Sequence, residues 1–138
     1  MAQDLGLVLK EVMTSTSHEF FTALDAAGLS FTQVKILGLL HDANAVSLTT
    51  VAEHLVISLP AASRAVDALV QRGEVRRQED ARDRRSKLVS ITPRGLRTFE
   101  KLIAVRRAGV ERLLATLEPA ELDGLAAGLA PIVRRLGR

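Results

Sequence analysis

A chain of 138 residues, 47% apolar and 25% charged, has enough apolar surface to build a core of its own, which excludes a disordered polyelectrolyte. It contains no cysteine, and so no disulfide, thiolate nucleophile, cysteine-held zinc or thiol-based redox switch. The net charge of +3 favours an anionic partner, and the excess is concentrated: from Arg72 to Lys87 seven basic residues stand against four acidic ones.

In chain order the pattern is mostly helical. Residues 3–27 set Leu5, Val8, Leu9, Val12, Thr16, Phe20, Ala23 and Leu24 at steps of three and four, the spacing of an amphipathic helix. Gly28 follows where a left-handed cap belongs. Ser30 with Gln33 reads as a capping box for a second helix whose inner face is Val34, Leu37 and Leu40. Residues 41–46 (HDANAV) read as a loop. Ser47 then caps a short helix to about Leu55, and Val56-Ile57 forms a tight turn. Ser58 caps a further helix that reaches Gln71 or Arg72, with Pro60 in its first turn and Gly73 at its end. From Glu74 the period changes to that of strands: EVRRQ and KLVSI flank the polar tip EDARDRRS. Thr92-Pro93 opens a long helix to about Thr116, and a last helix follows Glu118-Pro119. No apolar run approaches the roughly 20 residues that span a bilayer, and MAQDLGLVLK lacks the features of a signal peptide. The expected setting is therefore cytoplasmic, with no membrane partner.

This order predicts a mainly α fold with a small β-hairpin, a winged helix-turn-helix flanked by longer terminal helices. Residues 47–73 carry the functional signal. In a helix-turn-helix the second helix enters the major groove and needs a small or polar leading face. Ser58, Ala61, Ala62, Ser63 and Arg64 meet that need, while Ala65, Val66, Leu69 and Val70 supply the inner face. An arginine such as Arg64 can fork onto guanine or hold a phosphate. The hairpin tip places Arg82, Arg84 and Arg85 where an adjacent minor groove would attract guanidinium groups. Asp83 among them reads as a brace that pairs with one arginine so that another points outward. The terminal helices are too long to bury their apolar faces on so small a centre, which calls for a partner surface: Leu5, Val8, Leu9 and Val12 on the first, Leu122, Leu125, Leu129, Ile132 and Val133 on the last.

At these residues the chain resembles the multiple-antibiotic-resistance regulator (MarR) family. The similarity lies in Gly73, Val75 and Arg77, then Asp83 and Arg85, then Ile91-Thr92 and Gly95, with LSFTQVKILGLL, VAEHL and SRAVDALVQRG upstream. The resemblance implies one MarR-like domain over 1–138, with a DNA-binding lobe at 28–97 and dimerisation helices at 1–27 and 98–138. It implies a homodimeric repressor that reads pseudo-palindromic double-stranded DNA and is relieved by a small-molecule effector, with no cofactor. Arg77 enters the DNA-contacting set through this motif. Glu74 departs from the family's usual leucine, Ile91 from its usual leucine, Val56 occupies a turn position where a small or polar residue is commoner, and Pro131 interrupts the last helix with a kink expected near Ala130. Glu74 and the small recognition face support an alternative, a winged-helix protein-interaction or ligand-binding module without operator recognition.

Other constellations are weaker. His54 and Ser58 are four apart, but they fall on either side of a turn and have no orienting third group, so catalysis is not expected. His18, His41 and His54 lack metal-ligand spacing, and no metal site is expected. Phe20, Phe21, Phe31 and Phe99 read mostly as core, and no effector-pocket residue can be selected from them.

Overall fold

The computed structural model describes residues 1–137. Six helices and three short strands follow in the order α1 (Ala2–Ala27), α2 (Phe31–Asp42), β1 (Val46–Ser47), α3 (Leu48–Leu55), α4 (Leu59–Gln71), β2 (Val75–Glu79), β3 (Lys87–Ile91), α5 (Pro93–Leu114) and α6 (Pro119–Leu136). The expected punctuation holds. Gly28 and Gly73 sit at φ +66° and +71°, a region open to glycine at little steric cost. Ser30 and Gln33 close their reciprocal capping box, and the hydroxyls of Ser47 and Ser58 accept the N–H groups of Thr50 and Ala61.

Three elements differ from the sequence reading. Residues Val46–Ser47, read as the end of a loop, form β1 and pair antiparallel with β3 (Val46 opposite Val89, Ser47 opposite Leu88). Two residues are too few to show a period. The long helix α5 ends at Leu114, two residues early. The last helix continues through Pro131 to Leu136.

The chain forms two compact units. One runs from His18 to Val105; the other joins Met1–Ser17 with the chain from Arg106 onward. The first is wider than the lobe drawn at 28–97, because Phe20, Leu24 and Leu102 belong to its core together with Ile36, Leu37, Leu40, Val51, Leu55, Val66, Leu69, Val75 and Val89. Its sheet has the order β1-β3-β2, with Val75 opposite Ile91 and Glu79 opposite Lys87.

In the other unit Gly109 lies against Thr16, where a Cβ would collide with the threonine side chain, so glycine permits the close approach. Thr16 itself donates to the Val12 carbonyl at 2.8 Å. Helix α6 buries none of its residues, and Leu125, Leu129, Ile132 and Val133 remain exposed, as do Leu5, Val8 and Leu9 on α1. Val12 and Leu122 are half-buried. Among the described residues no single helix is long and apolar enough to cross a membrane.

Candidate nucleic-acid interface

The turn between α3 and α4 is held by Val56, a residue 89% exposed, in the left-handed region at φ 55°. A β-branched residue is rare there, and the conformation is strained. Its N–H is spent on the carbonyls of Ala52 and Glu53, and Ile57 N–H reaches Ala52, so the last turn of α3 is closed. Ser58 then starts α4 at once.

Helix α4 turns Val66 and Leu69 into the core and leaves Pro60, Arg64, Asp67 and Gln71 exposed at steps of three and four. Ser58 is exposed, and Ala61 and Ser63 are half-buried at the flank of that stripe. Ala62 corrects the sequence reading. It was placed on the leading face, yet it is 0% exposed and part of the core, so it is closed to a ligand. A small apolar side chain fits both an inner face and a close-approach face, and composition does not separate them.

Arg77, on β2, reaches back to α4. Its Nη1 lies 2.8 Å from Asp67 Oδ1, and its Nη2 donates to Ser63 Oγ at 3.0 Å. The guanidinium read from the motif as a DNA contact is thus committed to the helix, and it fixes the first strand of the wing to α4. Asp67 was missed in the sequence. The only signal for it was an acid on the exposed stripe of α4, ten residues before an arginine.

At the wing tip Arg82, Arg84 and Arg85 are exposed. Asp83 braces the tip, but not by the guanidinium pairing expected of it. Its Oδ1 accepts the backbone N–H of Arg85 at 2.9 Å and its carbonyl accepts that of Ser86 at 3.0 Å. Among the described residues it pairs with no arginine side chain. Asp80 does the same one step earlier, accepting Arg82 N–H at 2.9 Å. The carboxylates shape the backbone, which leaves all three guanidinium groups unpaired among the described residues. Lys87 lies 3.4 Å from Glu79 across the hairpin. Of the seven basic residues in the run, Arg72, Arg77 and Lys87 have acidic partners. Arg76, exposed on β2, joins the tip arginines as an unpaired cation that the sequence reading passed over. The alternation along β2 was its signal, since Val75 and Arg77 face inward.

Glu74, the acid at the entry to the wing, lies inside the fold. It is 1% exposed. Its Oε2 accepts from Arg72 Nε at 2.9 Å, and its Oε1 accepts from Thr98 Oγ1 at 3.1 Å. Arg72 in turn donates through Nη2 to the Ala27 carbonyl at 2.6 Å. The hydrogen bond to Glu74 raises the Arg72 guanidinium above its ordinary pKa; partial burial opposes this and the Glu74 charge adds to it. Beside this network lies a cavity of about 410 Å³ lined by Arg72, Glu74, Arg94, Thr98, Lys101 and Leu102, among others. No group of three or more His, Asp or Glu suited to a metal ion occurs among the described residues.

A MarR family sequence model matches residues 27–86. The chain is 26% identical over 134 residues to the HTH-type transcriptional regulator YfiV of Bacillus subtilis, covering 97% of this chain and 84% of that one. It is 25% identical over 122 residues to the HTH-type transcriptional repressor MdtR of the same organism, covering 88% and 79%. Its fold superposes on a single-residue variant of MepR from S. aureus, solved bound to an oligodeoxyribonucleotide, with a TM-score of 0.72 over 96% of this chain and 97% of that one, at 19% identity.

Proposed function

From a chain that is of the MarR family by its residues 27–86 and by its winged-helix fold, a family of transcription regulators and not of enzymes, we propose a homodimeric repressor that binds a pseudo-palindromic operator. One observation carries the DNA-binding part. Arg77 ties β2 to α4, and so joins the exposed face of α4 to the hairpin that carries the unpaired wing arginines Arg82, Arg84 and Arg85. Arg64 on α4 meets the major groove, with Ser58, Ala61 and Ser63 beside it, and the wing tip lies in the neighbouring minor groove.

The apolar residues left exposed on α1 and α6 support a second copy as partner. Two chains of +3 then present half-sites about one helical turn, roughly 10 bp, apart. Relief by a small ligand draws support from the cavity over Arg72 and Glu74, whose volume is within the usual range for such sites. An operator-binding protein acts where the chromosome is, which places this one in the cytoplasm. The repressor role takes its support from the relative MdtR.

Selection from a random duplex library, followed by anisotropy titration at several salt concentrations, tests this reading. The expected result is an enriched inverted repeat with a steep loss of affinity as salt rises. Replacing Arg84 and Arg85 together by Ala should weaken operator binding by about 100-fold and flatten the salt slope by about two. Undiminished affinity in that variant would remove the wing from the interface. Salt-sensitive binding without any enriched sequence would favour the interaction-module alternative.

A further inference from the structure

We propose that Leu59 reads the methyl group of a thymine in each operator half-site. The inference rests on the DNA-binding reading above and deepens it by naming a base and the residue that selects it. A lone leucine on a surface means little, so its place decides the matter. Leu59 is 49% exposed and opens α4, and in a helix-turn-helix the first residues of the second helix meet the base edges. Side chains four apart on a helix share a face. Leu59 therefore lies one turn before Ser63, and the exposed Pro60 one turn before Arg64, on the side of α4 that carries Arg64.

The same turn has little to offer a polar partner. Leu59, Pro60 and Ala61 bring no side-chain donor or acceptor. Pro60 has no N–H, and the Ala61 N–H is spent on the Ser58 hydroxyl at 3.2 Å. That leaves the N–H of Leu59 at most, too little for the close grip on a phosphate that helix ends otherwise supply. What the leading turn presents is apolar contact surface. Leu59 is the longest side chain in it, whereas Ala61 has a single carbon and is half-buried.

In the major groove thymine is set apart by an apolar group, its C5-methyl, whereas the other three bases are told apart by their polar edges. Closing a leucine over that methyl removes apolar surface from water, and this is how Leu59 selects thymine. Burial of one such carbon is worth about fourfold in affinity, and so about 15-fold over the two half-sites of a homodimer. Cytosine carries a hydrogen at the same place and forgoes the gain.

The test removes the methyl and nothing else. An operator is first selected with the wild-type protein, and each of its thymines is then replaced in turn, in both half-sites, by deoxyuridine. Anisotropy titration of the wild type is expected to find one thymine position whose replacement weakens binding by about 15-fold. Leu59→Ala is expected to bind the thymine and deoxyuridine operators within about twofold of each other. Leu59→Met, which keeps the apolar volume, is expected to keep the penalty, so that a lost contact is separated from a lost fold. A wild type indifferent to every replacement overturns the proposal, and that arm needs no variant. So does a Leu59→Ala protein that keeps the full penalty, which assigns the methyl to another residue, or a Leu59→Met protein that loses it. In each of these cases the enriched repeat still stands, so the regulator reading survives. If the wild type enriches no sequence, that reading falls and takes this one with it.

Discussion

Arg72 and Glu74 stand two residues apart, yet their roles are unequal because their exposure is. The Glu74 carboxylate is sealed in, whereas the Arg72 side chain keeps 33% of its surface. Removing one partner of a buried pair leaves the other charge without compensation, a loss of about 3–5 kcal/mol, while replacing a buried charge by an apolar group of similar volume is milder. Arg72→Ala strands the carboxylate with Thr98 as its remaining side-chain partner. Glu74→Leu strands a guanidinium that still reaches water and the Ala27 carbonyl. Urea unfolding should therefore show Arg72→Ala destabilised by about 3 kcal/mol or more, and Glu74→Leu by less. The reverse order would mean that Arg72 is held chiefly by the carbonyls and not by Glu74. The same pair explains how an acid is accommodated inside the fold at this position: it arrives with its own cation and a threonine donor.

At the scale of elements, the helices are delimited by hydrogen bonds that their own residues supply. Ser30 and Gln33 exchange bonds across the first turn of α2, with Ser30 N–H donating to Gln33 Oε1 at 2.8 Å. Ser30→Ala removes half of that box and should lower stability by about 1 kcal/mol, read as a shift of several degrees in Tm. Ser30 lies outside the proposed DNA-contacting surface, so operator affinity should stay unchanged within about twofold. A change in affinity would show that α2 is coupled to the interface. The hairpin is built differently. The start of β2 is anchored where Glu74 N–H meets the Leu69 carbonyl and Thr92 N–H meets the Glu74 carbonyl. Gly95 passes so close to that carbonyl that any Cβ would collide with it. The wing is therefore fixed at its root by packing of backbone on backbone, and at its tip by Asp80 and Asp83.

For the molecule as a whole, the exposed apolar residues of α1 and α6 form the least satisfied part of the chain. Leu129 is 44% exposed on a helix that buries nothing. In the proposed homodimer, Leu129→Glu places a charge in an apolar contact, and the molar mass in solution should fall by half. Operator affinity should fall about 100-fold or more with it, because two tethered half-site contacts become two independent ones. Sedimentation equilibrium and anisotropy read both. A variant that keeps the wild-type mass would place the partner surface elsewhere.

What the sequence by itself determined lies within a few residues of where it is written. The caps at Ser30, Ser47 and Ser58, the positive φ at Gly28 and Gly73, the helical periods and the arginine-rich tip are local physics, since their bonds join residues only a few positions apart. The tertiary structure alone decided which polar groups are spent inside the fold. Arg72 finds the Ala27 carbonyl 45 residues away, Glu74 finds Thr98 at 24, and Arg77 finds Ser63 at 14. These pairings made Glu74 a core anchor and tied the Arg77 guanidinium to α4, while packing put Ala62, read as groove-facing, in the core. No periodicity announces them, because a buried charge is stable only beside a partner, and which partner is within reach is known only after the chain has folded.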